Sequence, residues 1–267
     1  ETQLLLAAVD QLIEGPGFDA EALARGVADL WRENRIIGRD PQTHRAIERL
    51  IGGADRTESG GGEESLGNGP LSRAIAYGLW FHDRPDQLVE ATLESTRITH
   101  RDPVPGACSV AVAAAVAYCV THREIVLGEF LDAMETATRS IDDSVADQVA
   151  GLPHLIARPE PSVLHELTEL GHDDTRIPEG ISSDARSTLL VSLYYFLRAP
   201  SDFTSTLQGC LLAGGDVDST ACVAGALAGA FNGEVGLDRG LVDRLVESDQ
   251  ITRLGKSLYV TRANSRG

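Results

Sequence analysis

Asp216 and Asp218 lie two residues apart in the string Gly214-Gly215-Asp216-Val217-Asp218-Ser219-Thr220. There a glycine turn runs into an apolar helical stretch, bringing two carboxylates and a hydroxyl together. Hard divalent cations such as Mg2+ and Mn2+ prefer oxygen ligands of this kind. The string is not an EF-hand: with Asp216 as the first position, the sixth is Ala221 and the twelfth is Leu227, not the glycine and glutamate such a loop requires. A plainer reading stays open, in which Asp216 or Ser219 caps the helix and the other acid complements its dipole.

Two further strings carry chemistry by type and spacing. Ser65-Leu66-Gly67-Asn68-Gly69-Pro70 precedes an amphipathic stretch beginning at Leu71. Proline suits a first helical position, the glycines let backbone approach a ligand, and a helix N-terminus favours anions such as phosphate. The string lacks the Gly-Lys-Ser/Thr of a Walker A loop and the preceding strand of a dinucleotide fingerprint. An ordinary Asn-Gly turn is the alternative. In Ser95-Thr96-Arg97-Ile98-Thr99-His100-Arg101-Asp102-Pro103 one helix ends near Ile98, and Asp102-Pro103 caps and starts the next. His100 therefore sits in a tight interhelical turn, either lining a site or complementing the dipole of the helix that ends there. The other histidines (His44, His82, His122, His154, His165, His172) show no zinc spacing. No GxSxG elbow and no catalytic cysteine signature is present.

The elements that must position these strings read as helices. Leu4, Leu5, Ala8, Leu12 and Ile13 form an apolar stripe closed by Gly15-Pro16-Gly17. Similar stripes cover roughly 18–32, 42–51, 70–81, 86–98, 103–121, 125–139, 182–198, 202–213, 217–231 and 238–247. Residues 151–183, with four prolines, read as short helices mixed with irregular chain. No strand alternation is sustained, and no repeat of 30–45 residues is visible. Few aromatic residues (5%) and many alanines and glycines predict close helix contacts in a compact bundle.

Composition narrows the classes. With 267 residues, 42% of them hydrophobic, the chain can form one large domain with a sizeable core, and no linker divides it. Residues 52–64 are glycine-rich and acidic and are expected to be mobile. The formal net charge of −17 repels phosphate backbones and argues against generic nucleic-acid binding, though a local patch can still hold a small anion. Cys108, Cys119, Cys210 and Cys222 lie in apolar runs without CxxC pairing, as buried thiols of a reducing compartment do. The apolar stretch from Ala107 to Val120 reads as too short for a membrane span. With no signal peptide visible, the expectation is a cytoplasmic monomer with no membrane association. The opening TQLLLAAVDQLIE is already helical, so native sequence upstream of Glu1 is expected.

Taken together and in this order, SLGNGPLSR, THRDP and GGDVDS resemble the ADP-ribosylglycohydrolase family. That family includes the dinitrogenase-reductase-activating glycohydrolases and the ADP-ribosylhydrolases, and its pattern runs Ser-x-Gly-Asn-Gly, Thr-His-x-x-Pro, Gly-Gly-Asp-x-Asp-Thr. The segments GVADLWRENRIIGRDPQTHRAIERLIGG and ARSTLLVSLYYFLRAP are similar to family segments too. The resemblance implies an all-α, compact orthogonal helical bundle with a central metal site holding two divalent cations, Mg2+ or Mn2+. It also implies a hydrolase that cleaves the glycosidic bond between ADP-ribose and a protein, nucleic-acid or small-molecule acceptor. By the same resemblance Glu1, Asp216, Asp218 and Ser219 are metal positions, with serine in place of the usual threonine. Ser65, Gly67, Asn68, Gly69 and His100 are ADP-ribose positions, and Asp216, Asp218 and His100 are the catalytic set.

The chain also departs from the pattern. Glu1-Thr2 aligns with the end of the family's Thr-Asp-Asp-Thr motif, which puts Glu1 where an aspartate ligand is expected. The preceding ligands are not in this sequence, which would impair catalysis if they are absent from the native protein. His172-Asp173-Asp174-Thr175 mimics that motif but lies between the wrong helices. Leu66, Pro70, Leu71 and Ser72 differ from the usual residues around the loop. A non-catalytic ADP-ribose-binding or structural relative with an incomplete metal site is the alternative.

Overall fold

A helix that is apolar on every side has no face to offer water and must sit among other helices. The computed structural model, which describes residues 1–15, 17–38, 40–62, 65–171 and 180–265, puts the most apolar stretch of the chain in that position. In chain order its helices are α1 (Thr2–Glu14), α2 (Ala20–Arg32), α3 (Pro41–Ile51), α4 (Arg56–Ser59), α5 (Leu71–Phe81), α6 (Pro85–Arg97), α7 (Pro103–Thr121) and α8 (Leu127–Thr138). They continue as α9 (Asp143–Ala150), α10 (Leu152–Ile156), α11 (Glu160–Glu169), α12 (Ala185–Arg198), α13 (Phe203–Ala213), α14 (Val217–Asn232), α15 (Arg239–Val242) and α16 (Ser248–Asn264). The described residues contain no strand, only three isolated β-bridges. The all-α class expected from the stripes is the one found.

Helix α7 is the axis of the bundle. Every residue from Pro105 to Cys119 is buried, and α5, α6, α8, α12 and α14 all pack against it. It runs 19 residues, longer than the apolar stretch alone suggested, and by length and composition it would qualify as a membrane span. Its 18-residue window is 83% buried inside the protein, which is the behaviour of a core helix. Small residues let neighbours come close. A Cβ on Gly78 of α5 would lie 2.5 Å from the Ala113 carbonyl oxygen and 2.8 Å from Val116 Cβ on α7.

The elements differ from the expected stripes in three places. The stripe at 238–247 yields only the single turn α15, because Leu241, Leu245 and Val246 stay exposed with no face to pack on. The long helix of that region is instead α16, which packs on α1 and α5. Its buried Arg262 donates to the Trp80 carbonyl and pairs with Asp83. Second, α9 is a short helix that no stripe marked; Asp142 caps it by accepting from Val145 N at 3.0 Å. Third, the glycine-rich stretch 52–64 contains α4, whose Ser59 is fully buried and donates to the Ile98 carbonyl at 2.8 Å. The His172–Thr175 string lies outside the described residues.

Gly78→Val should wedge α5 away from α7 and cost about 2 kcal/mol or more. The expected result is a lower urea midpoint with native helical circular dichroism retained; an unchanged midpoint would contradict the close packing.

Candidate active site

Five helices begin around one loop. Residues 65–70 lead into α5, and the N-terminal ends of α1, α3, α12 and α14 all make contact with that loop or with its immediate neighbours. Two of the three β-bridges hold it in place. Gly67 pairs with Asp184 and Gly215 pairs with Ile181, so the short segment 181–185 is backbone-bonded to both the loop and the acidic turn. The bonds are Asn68 N to Ser183 O (2.9 Å), Ala185 N to Leu66 O (2.8 Å), Ile181 N to Gly214 O (3.2 Å) and Asp216 N to Ile181 O (2.9 Å). The acidic turn needs its double glycine for this. Gly214 and Gly215 both have φ +73, a conformation that favours glycine. A Cβ on Gly215 would also lie 2.2 Å from Ile181 N and O.

Asn68 joins the two motifs directly. Its side-chain amide donates to Asp216 Oδ2 at 2.7 Å and to Thr188 Oγ1 at 2.7 Å, spanning 148 and 120 residues of sequence. With its backbone N–H engaged by Ser183 as well, Asn68 acts on the site by fixing the loop against the acidic turn. Asp216 stands at the start of α14, yet its side chain makes no capping bond, so the plain capping reading does not account for it. Burial, and next the neighbouring Asp218, push its carboxyl above the ordinary range; the Asn68 and Ser219 hydrogen bonds pull the other way. Asp218 is exposed and Ser219 buried. Glu1, at the start of α1, faces Ser72, Arg73 and Asp216, and burial is the main reason its carboxyl is also raised.

The donor set of Glu1, Asp216, Asp218 and Ser219 is all oxygen, and neither Asp216 nor Asp218 forms a salt bridge among the described residues. Two like charges held together without a cationic partner suit a hard cation. The fit is partial. Among the described residues, no three His, Cys, Asp or Glu side chains come close enough to hold a metal ion. The expected central metal site is therefore seen only as an acidic turn with Glu1 nearby.

His100 does not sit at a solvated helix end. It is fully buried and forms one step in a chain of hydrogen bonds. Arg73 Nη2 donates to Thr99 Oγ1 at 2.7 Å, Thr99 Oγ1 lies 2.9 Å from His100 Nδ1, and His100 Nε2 lies 3.0 Å from Gln42 Oε1. Gly67 N also donates to Gln42 Oε1, at 3.0 Å, which identifies that atom as the acceptor. His100 must then carry its proton on Nε2 and accept from Thr99 on Nδ1. The third bridge, Gly61 to His100, ties this turn to the glycine-rich stretch through Gly61 N to Thr99 O and Arg101 N to Gly61 O, both 3.0 Å. Asp102 caps α7 as its Asp-Pro pair predicts, accepting from Val104 N at 3.0 Å.

Sequence reasoning missed Gln42, Thr43, Arg73, Thr99 and Thr188. Gln42 and Thr43 enter from the first turn of α3, whose start was marked by the cap Asp40 before Pro41. Nothing in the string marked their side chains. Buried Thr43 Oγ1 has no hydrogen-bond partner, and a Cβ on Gly69 would lie 2.5 Å from it. Arg73 is also buried, with Nη1 unpartnered.

Comparison with known proteins bears on the family and the fold. A family model described as ADP-ribosylglycohydrolase matches residues 1–267. The chain is 25% identical over 256 residues to ADP-ribosylhydrolase ARH3 of Xenopus tropicalis, covering 88% of this chain and 73% of that protein. It is 26% identical over 233 residues to an uncharacterized protein of Archaeoglobus fulgidus, covering 86% and 70% respectively. A solved structure described as an ADP-ribosylglycohydrolase-related protein complex shares the fold. Its TM-score is 0.76 and its identity 23%, over 98% of this chain and 80% of that one.

Burial first, and the Arg73 charge second, push the His100 ring down from 6.5 to about 4. A base depressed in the folded state is protonated first in the unfolded chain, so this contribution to stability falls as pH drops from 6.5 toward about 4. The His100 ring signals should therefore stay constant in an NMR titration from about pH 8 to about pH 5. A midpoint near 6.5 would contradict the buried network.

Proposed function

Because the chain belongs to the ADP-ribosylglycohydrolase family along its whole length, we propose that it is a metal-dependent hydrolase of the glycosidic bond between ADP-ribose and a modified acceptor. One observation carries the reading: the Asn68 amide joins the Ser65–Pro70 loop to Asp216 across 148 residues. Two of the motifs thus form one site, and Gly67 and Gln42 link His100 to the same loop.

The geometry supports a role for each residue. The Gly67 N–H, the Ser65 hydroxyl and His100 Nε2–H point to one place. There they would hold the diphosphate and leave the ribose toward the acidic turn. His100 keeps its Nε2 proton at neutral pH, because burial disfavours a second one, so it serves as a fixed donor. Asn68 sets the separation between the anion-holding and the acidic halves. The exposed Asp218 carboxylate would stabilise positive charge developing at the anomeric carbon, as carboxylates do in glycoside hydrolysis. The family generally depends on divalent cations. Bound Mg2+ or Mn2+ would polarise the ribose hydroxyls and raise the nucleophilicity of a water. Asp216, Asp218, Ser219 and Glu1 would hold it. The free state of the four cysteines supports a cytoplasmic setting.

A second reading rests on the same residues. With no group of three ligating side chains among the described residues, the chain would bind ADP-ribose without turning it over.

Asp218 lies on the surface, so Asp218→Ala should leave the helix content intact. On ADP-ribosylated substrate with Mg2+ or Mn2+, it should lower turnover by about a hundredfold or more. Undiminished turnover by the variant would defeat the role given to Asp218, and no turnover by the parent protein would defeat the hydrolase assignment. Calorimetric binding of ADP-ribose to the parent protein, with no turnover in either cation, would favour the non-catalytic reading.

A further inference from the structure

Gln42 Oε1 receives more donors than a neutral amide oxygen can use. Ser65 Oγ (3.1 Å), Gly67 N (3.0 Å) and His100 Nε2 (3.0 Å) all converge on it. An amide oxygen has two lone pairs, so one of the three donors is always poorly served. An anionic oxygen satisfies three donors readily, and such charge-assisted bonds are the stronger kind. The cradle is also shaped for close approach, since a Cβ on Gly67 would lie 2.5 Å from Gln42 Oε1. Any larger residue at 67 would fill the spot. Gln42 itself stands in the first turn of α3, half-buried. A change in its side-chain torsions would vacate the cradle without moving the helix.

We propose that Gln42 is a removable internal occupant of an anion cradle formed by Ser65, Gly67 and His100, and that it sets the affinity of this site by competing with a ligand's phosphate oxygen. The identity of the ligand as the diphosphate of ADP-ribose rests on the function proposed above; the competition does not. Two consequences distinguish this role from a merely structural one. Removing a structural side chain can only weaken binding, whereas removing a competitor strengthens it. Giving the competitor a negative charge should make it a better occupant and a worse neighbour for an incoming anion.

The test uses calorimetric titration of the whole protein with ADP-ribose and, separately, with inorganic pyrophosphate. Gln42→Ala should bind ADP-ribose about tenfold tighter than the parent, because the competent state no longer requires displacement. Gln42→Glu should bind about tenfold weaker or worse, through like-charge repulsion. Unchanged or weaker ADP-ribose binding by Gln42→Ala overturns the proposal. If neither protein binds ADP-ribose but Gln42→Ala gains affinity for pyrophosphate, the cradle and its occupant stand and the nucleotide reading falls. Failure of pyrophosphate to bind Gln42→Ala under those conditions overturns the cradle itself.

Discussion

The arrangement depends on a few backbone hydrogen bonds made by residues 181–185. On one side this segment bonds the loop that precedes α5, and on the other the turn that precedes α14. Neither partner is regular structure, and each would cost a buried, unsatisfied backbone group if released. Gly215 makes the second contact possible by packing directly on Ile181 and Gly180. The Asn68 side chain then adds a cross-link between the two partners. Two loops far apart in sequence are thereby held as one surface.

An acidic protein proposed to hold an anion needs a local answer to its own field. The formal net charge is −17, and the carboxylates of Glu1 and Asp216 lie close to the loop. Against them the fold sets several helix N-termini at one place, each with unpaired N–H groups and the positive end of a dipole. It also buries Arg73 beneath them, bonded to Ser95 and Thr99. Desolvation works against that guanidinium's charge, and through Thr99 it sets the orientation of His100. In the proposed site one half would therefore favour anions and the other cations, with Asn68 between them. The proposed substrate, which carries both a diphosphate and a ribose, would fit that division.

The core explains how loops can be positioned so tightly. Alanine, glycine and small β-branched residues in α7 leave little side-chain volume between helix axes, so α5 packs almost backbone to backbone on it. Interiors packed in this way transmit small displacements rather than absorbing them. The first residues of α5 and α7 then inherit fixed positions. The Ser65–Pro70 loop and the His100 turn precede those helices.

Much of this was legible in the chain itself. The stripes at 42–51, 103–121 and 217–231 became α3, α7 and α14 with boundaries close to those read. Asp102-Pro103 capped its helix as the pair predicts, and the order of three short motifs identified the family. These features are written in local spacing, where a period of 3.6 residues or a cap beside a proline leaves its mark within one turn. The stripe at 238–247 failed because an amphipathic pattern says only that a face wants burial, not that another element is there to cover it. Gln42, Arg73 and Thr188 had no local signature, since what matters about each is a partner lying 58, 26 or 120 residues away. Such contacts arise when helices pack, and no periodicity along the chain records which side chains packing will bring together.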